Sequence, residues 1–250
     1  MRANRTFANA PASNGTHFAA LETTNWVEAQ ASLNEKGYAV VKQFLYPADC
    51  DELRARYDER ERYRKTVVME RYRFGRGEYK YFSYPLPPLL QSVRENLYTK
   101  LVDVANGWMR ALGLDHRFPA EHSELIEECR KKLQMQPTPL ILRYGAGGFN
   151  TLHQDLYGEV YFPIQAVMLL SESGCDFTGG EFVLTQQNPR AQSQAIVLNP
   201  DKGDLVLFTT NFRPAKGRHG YHRVHVKHGV SEVHSGERFT LGIIFHDALT

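Results

Sequence analysis

The run P-L-I-L-R-Y-G-A-G-G-F-N-T-L-H-Q-D-L-Y-G-E-V-Y-F-P-I-Q-A-V-M-L-L, residues 139–170, decides the fold. Short apolar or alternating stretches are broken there by Gly, Asn, Asp and Pro, which is the punctuation of strands and turns. The same texture runs on through 180–184, 196–198, 205–208 and 239–245. Upstream the period is different. Thr24-Asn25 can cap a helix carrying Trp26, Val27, Ala31 and Leu33 that stops at Gly37, and a strand follows over 38–44. Pro47 opens a second helix with Leu45, Cys50, Leu53 and Tyr57 on its apolar side. Leu89, Leu90, Val93, Leu97, Leu101, Val104, Ala105 and Trp108 recur at three- and four-residue spacing, which predicts a long amphipathic helix ending near Gly113, and a shorter one covers 121–133. Helices followed by many short strands predict an α+β chain, a β-sandwich or jelly roll with helices packed outside.

Composition removes several classes of function. A hydrophobic content of 42% supplies a core, so the chain is not disordered throughout. The longest unbroken apolar run, 166–170, falls far short of the roughly 20 residues that cross a bilayer. Residues 1–20 read as a flexible tail without the apolar stretch of a secretory signal. Cys50, Cys129 and Cys175 are far apart and form no CxxC pair, which points to a reducing, cytoplasmic setting. The net charge of +2 (30 basic less 28 acidic residues) implies no polyanionic partner by itself, but the basic residues are unevenly placed.

His153-Gln154-Asp155 is the first feature with chemical content, because residues two apart on a strand share a face and can grip one cation. A surface strand with two polar residues is the plain alternative. Five of the ten histidines, His219, His222, His225, His228 and His234, lie downstream within 219–234. Two His and one carboxylate form the facial triad of non-haem Fe(II) oxygenases, and zinc hydrolysis is another use of the same ligands. Arg238 and Thr240 share a face of one predicted strand, where a guanidinium and a hydroxyl can hold a carboxylate. If the strands carrying His228 and Arg238 form a hairpin, a three-residue loop over 235–237 or a bulge is needed to bring both side chains to one face.

At these residues the sequence resembles the iron(II)- and 2-oxoglutarate-dependent dioxygenases. His153 and Asp155 match its H-x-D pair, and His228, Val230, Val233, Gly236 and Arg238 match the ordered pattern that ends such domains. Leu142-Arg143-Tyr144-Gly145, Gly179-Gly180-Glu181 and the run 202–208 resemble further strand signatures of the family. The resemblance implies a double-stranded β-helix (jelly roll) core over about 136–250, with a helical N-terminal part over about 21–135, as a single domain spanning 21–250. It implies Fe(II) on His153, Asp155 and His228, with 2-oxoglutarate held by Arg238, Thr240 and Tyr144. Decarboxylation of that co-substrate, with O₂ consumed and succinate released, would then drive oxidation of a substrate C–H bond. A cupin-like binding module without catalysis is the reading from another class.

The run from Asn150 through Asp176–Phe182 to Asp247 is similar to a bacterial subfamily labelled as oxygenases of damaged nucleic acid, by analogy with AlkB-type demethylases. The stretch 62–84 carries seven basic residues interleaved with seven aromatics, and 213–227 carries five basic residues and no acid. Such stretches can pair phosphates and stack bases. Arg73, Tyr79 and Arg213 are the candidate substrate contacts. Against that label, the ten-residue spacing from His228 to Arg238 is more similar to prolyl hydroxylases, which makes a peptide or amino acid the alternative substrate.

Overall fold

The computed structural model describes residues 19–250, so the tail expected over 1–20 lies almost wholly outside the described residues. In chain order the first elements are α1 (Ala19–Thr23), α2 (Trp26–Lys36), β1 (Tyr38–Val41), α3 (Pro47–Ala55), β2 (Tyr63–Val68), β3 (Gly75–Arg76), β4 (Glu78–Phe82), α4 (Pro88–Ala111) and α5 (His122–Lys131). The strands that follow are β5 (Leu140–Tyr144), β6 (Phe149–His153), β7 (Ile164–Leu169), β8 (Phe177–Gly179), β9 (Phe182–Gln187), β10 (Gln194–Leu198), β11 (Leu205–Thr209), β12 (Phe212–Gly217), β13 (Gly220–Val230), β14 (Val233–Gly236) and β15 (Arg238–Ile243).

The sequence signals for the helices act as expected. The Asn25 side chain accepts a hydrogen bond from the Glu28 amide at 3.2 Å and starts α2. Gly37, in the left-handed region, ends it.

Two antiparallel sheets face each other, one ordered β1-β11-β7-β15-β5-β4-β2 and the other β10-β9-β13-β6-β3, with β12 also paired to β13. The core is therefore the jelly roll that the sequence predicts. On β15, Phe239, Leu241 and Ile243 pack outward among Leu90, Val93, Leu97 and Leu101 of α4. Arg238, Thr240 and Gly242 of the same strand turn inward and line a cavity between the sheets. Because both faces are covered, every residue of β11 and β15 is buried. On β13, by contrast, burial alternates, since its outer face is open to solvent.

Two expectations are corrected. The basic and aromatic stretch 62–84 is not one exposed surface for phosphates and bases but largely sheet: β2 and β4 close one edge of the larger sheet and β1 the other. Nor do the strands carrying His228 and Arg238 form a hairpin. β13 pairs with β6, β9 and β12, whereas β15 pairs with β5 and β7. Between them the chain crosses from one sheet to the other through β14, which pairs with β8. Gly236 makes the crossing possible at a φ of 75°, where a Cβ would stand 1.9 Å from the Asp176 carbonyl oxygen. No odd loop is needed, because His228 and Arg238 both face the space between the sheets.

A buried ion pair ties the long helix to the end of the chain. Arg94 Nη2 lies 2.8 Å from Asp247 Oδ1, and both side chains are about 1% exposed. The guanidinium also donates to the Ile244 and Phe245 carbonyls and to Tyr84 Oη. With its donors so engaged, removing one partner leaves a charge stranded in the interior. Arg94→Ala is expected to lower unfolding stability by about 3–5 kcal/mol in denaturant titration, and the Arg94→Leu/Asp247→Leu double variant to lose less than the sum of the two single variants.

Candidate active site

Register brings the first two side chains of the site together. His153, the last residue of β6, lies directly opposite His228 of β13, so both imidazoles project from the same face. A bulge between His228 and Val230 follows at once, and the ring centroids are 4.2 Å apart. Asp155 stands two residues beyond β6. Its Oδ1 is 3.5 Å from His153 Nε2 and its Oδ2 is 3.3 Å from His228 Nε2. All three donor atoms lie within 4.8 Å of one another, a set that could hold a metal ion.

Protonation supports that reading of the geometry. His153 Nδ1 is 2.8 Å from the Thr151 carbonyl oxygen, which can only accept, so Nδ1 carries a proton. In the neutral ring Nε2 then turns a lone pair toward a carboxylate, an arrangement that calls for a proton or a cation between them. Burial works against the His153 imidazolium, and Asp155 outweighs it, so the His153 pKa is raised. Burial likewise opposes the Asp155 anion, but hydrogen bonds from His153 and His228 hold its carboxyl well below the usual range. Burial, joined by the His153 charge, lowers the His228 pKa.

Across the cavity stands Arg238, 2% exposed, with no hydrogen-bond partner for Nε or Nη1 among the described residues. Burial pushes its pKa down to about 10, which still leaves it charged near neutrality. Its Cζ is 5.7 Å from the centre of the Tyr144 ring and 5.9 Å from that of Phe177. A buried guanidinium with idle donors is costly unless an anion completes it. Gly180, at a φ of 64°, lets this side chain lie flat, since a Cβ there would be 2.8 Å from Arg238 Cδ. Thr240 and Tyr144 line the same cavity, and burial pushes the Tyr144 phenol up to about 12, so it remains a donor. Asn150 Nδ2 donates to Tyr144 Oη at 3.3 Å. The cavity, of about 220 Å³, thus brings His153, Asp155, His228, Arg238, Thr240 and Tyr144 together.

The candidate substrate residues fare differently. Tyr79 lines the cavity; Arg73 is exposed on the turn just before Phe74, which lines it too. Arg213 requires a correction: it is buried against Gln186 Oε1, at 2.9 Å, and is not among the cavity residues. The rest of 213–227 also points elsewhere, because Arg223 and Lys227 alternate with inward Val224, Val226 and His228.

Sequence reasoning passed over Tyr157. Its hydroxyl donates to Asp155 Oδ1 at 2.6 Å and lies 3.1 Å from Tyr81 Oη. That leaves Oδ2 as the oxygen without a phenol on it. The signal was available as Asp155-x-Tyr157, but a single tyrosine two residues from a carboxylate is too common a pattern to stand out. Gln165, whose side-chain amide is 3.5 Å from His228 Nδ1, was missed inside an apolar strand.

Comparison with known proteins adds the family. Residues 77–248, more than half of the chain, match the Oxygenase-NA model, described as "Oxygenase, catalysing oxidative methylation of damaged DNA". The chain belongs to the Oxygenase-NA family. Uncharacterized proteins from two strains of Mycobacterium tuberculosis are 41% identical over 167 residues, covering 67% of this chain and 72% of theirs. Among solved structures, this Oxygenase-NA member is similar in fold to a prolyl-4-hydroxylase of Pseudomonas putida, with a TM-score of 0.53, 16% identity and coverage of 87% and 96% of the two chains. A 2OG-Fe(II) oxygenase family oxidoreductase of Burkholderia pseudomallei gives a TM-score of 0.54, 16% identity and coverage of 90% and 93%. The resemblance to iron(II)- and 2-oxoglutarate-dependent dioxygenases therefore holds, in sequence at the level of an oxygenase family and in fold at the level of the jelly roll. No helix among the described residues is long and apolar enough to cross a membrane.

Tyr157→Phe removes one hydrogen bond to the Asp155 carboxylate and keeps the ring. Affinity for a divalent cation, measured by anaerobic titration with Fe(II) or by Mn(II) binding, is expected to fall about 10- to 100-fold. Unchanged affinity would show that the phenol does not orient the carboxylate.

Proposed function

We propose that this protein is an Fe(II)- and 2-oxoglutarate-dependent dioxygenase that oxidises an alkyl carbon on a base of damaged or single-stranded nucleic acid. In this reading His153 Nε2, Asp155 Oδ2 and His228 Nε2 hold the metal. Arg238 takes the distal carboxylate of 2-oxoglutarate, with Thr240 and Tyr144 as further polar contacts. One observation carries the cofactor assignment: a buried guanidinium with two idle donors shares a small cavity with an imidazole–carboxylate–imidazole set. That donor set suits Fe(II), and a dicarboxylate would satisfy the arginine.

The bound metal and co-substrate supply O₂ chemistry that no side chain can perform. The chain's own part is positional. Thr151 fixes the His153 ring through its carbonyl, and Tyr157 and Tyr81 steady Asp155. Phe182 and Phe208 flank His228, with ring centroids 6.1 and 4.8 Å away, and help to exclude water from that side.

For the substrate, the family description favours damaged DNA and the ten-residue spacing from His228 to Arg238 favours a peptide. The charge of the cavity mouth supports the first. Arg71 and Arg73 are exposed on the turn that leads into Phe74, and neither forms an ion pair among the described residues.

The deciding assay is succinate formation from 2-oxoglutarate by anaerobically iron-loaded protein on admission of oxygen. Methylated single-stranded DNA is expected to raise turnover, His228→Ala to abolish it, and a proline-containing peptide pool to have no effect. Stimulation by the peptides alone would transfer the substrate reading to a prolyl-hydroxylase-like activity. A second outcome concerns Arg238. Arg238→Met is expected to weaken 2-oxoglutarate binding at least about 30-fold, measured by calorimetry, while the melting temperature of the ligand-free protein holds or rises because an unsatisfied buried charge has gone.

A further inference from the structure

The cavity is small for a polymeric substrate. At about 220 Å³ it lies below the roughly 300–1,000 Å³ of pockets that bury drug-sized ligands. Once a co-substrate is seated, little remains beyond room for the reacting group. Whatever carries that group must be gripped outside, at the mouth.

One side of the mouth is built from the turn before β3. Met69, fully buried, anchors it, and its carbonyl oxygen accepts from the Phe74 amide at 3.1 Å. The turn is clamped to the strand that carries His153. Thr151 donates to the Phe74 carbonyl twice, from its amide at 2.9 Å and from its hydroxyl at 2.8 Å. Gly75 and Arg76 pair with Asn150 and Phe149. On this rigid base the rings of Tyr72 and Phe74 stack, with an interplanar angle of 20° and centroids 5.5 Å apart. Phe74 forms part of the cavity wall, yet the two rings remain 45% and 56% exposed for Phe74 and Tyr72 respectively.

Two large aromatic rings are thus held flat and open to water beside the reaction cavity. Exposed Arg71 and Arg73 flank Tyr72 in the chain, against the acid of the turn, Glu70, whose carboxylate accepts from the Gly77 amide, while the Arg76 guanidinium lies against Gly147 in a separate depression. Arg73 occupies the left-handed region at a φ of 61°, which is uncommon for a residue with a side chain. Flat rings and unpaired guanidinium groups together suit a ligand with stackable planes joined by regularly spaced anions. A duplex does not offer such planes, because its bases already stack on one another. An acidic peptide would meet the arginines and leave the rings idle.

We infer that the Tyr72–Phe74 stack and its arginines form a docking platform for single-stranded nucleic acid, on which the base next to the oxidised one stacks. The inference rests on the nucleic-acid reading of the substrate given above. It also reaches further, since it assigns strand specificity to a surface that lies largely outside the reaction cavity.

The test is binding rather than turnover, with fluorescence anisotropy of a labelled thymidine oligonucleotide of about ten residues and an abasic strand of equal length and charge. Tyr72→Ala is expected to weaken the thymidine strand about 5- to 150-fold, to leave the abasic strand unchanged, and to keep the wild-type melting temperature. Tyr72→Phe is expected to restore affinity. Arg73→Gln is expected to weaken both strands alike and to lower the slope of log K against log salt by about 0.7. If wild-type protein binds the thymidine strand and Tyr72→Ala binds it equally well, or loses both strands equally, the stacking platform is overturned and the nucleic-acid reading stands. If wild-type protein binds neither strand at low salt and binds a proline-containing peptide instead, both are overturned together.

Discussion

Everything at the site depends on one register, that between β6 and β13. His153 and His228 are directly opposed, and a slip of one residue would turn one imidazole to the outer face of the sheet. The register is held from several sides. β9 pairs continuously with β13 from His225 to Val230, so the His228 strand is gripped on its far side. β3 and the Phe74 carbonyl hold β6 on the other. Gln154, between the two H-x-D ligands, points away from them and donates to the Val226 and Asn211 carbonyls, which ties the loop after β6 back to β13. The bulge comes only after His228, where it no longer affects which face that residue takes.

The second sheet contributes by a different device. Its central strands are covered on both faces, by helices outside and by the cavity inside, so the alternation along β15 delivers Arg238 and Thr240 inward while Phe239, Leu241 and Ile243 complete the core. Two buried arginines of this protein then differ in kind. Arg94 has an acid, two carbonyls and a phenol around it and acts as a fastener. Arg238 has two donors with nothing to bind, in a pocket that would accommodate an anion. On the proposed function, the contrast separates a structural charge from one kept at a cost in stability for a ligand.

Much of this was legible in sequence because it rests on local rules. Asn25 and Gly37 mark the ends of α2, and Leu140–Tyr144 and Arg238–Ile243 read directly as strands. His153, Asp155 and His228 converge, as the resemblance to the dioxygenases implied. What escaped depends on tertiary context. Lys80 looks like a surface residue but lies buried with its ammonium on the Tyr57 carbonyl and over the Tyr57 ring. Arg64 similarly covers the Tyr81 ring and donates to the Pro137 carbonyl. Such residues made 62–84 look like one continuous basic and aromatic surface, whereas it is three strands and a short exposed turn. Arg213 misled in the same way, since charge along a sequence does not reveal which way a strand faces. The hairpin expected between His228 and Arg238 failed because it presumed that neighbours in sequence are neighbours in a sheet, whereas β13 and β15 belong to opposite sheets.

The tension between a fold shared with prolyl hydroxylases and a family described by damaged DNA also dissolves on physical grounds. At 16% identity the shared feature is the scaffold alone, and a scaffold is indifferent to what lies outside the mouth of its cavity. Substrate choice belongs to the segments that edge the cavity. The segment proposed above for that part comes from before the jelly roll, between β2 and β4, where Met69 is sunk in the core and the next few residues stand out from it. Because the Phe74 carbonyl is bonded to Thr151, two residues ahead of His153, that segment is tied directly to the strand that carries the proposed metal ligand His153. A group stacked there would be held at a fixed distance from the triad without any closing movement, so specificity and reaction geometry would be set by one piece of backbone.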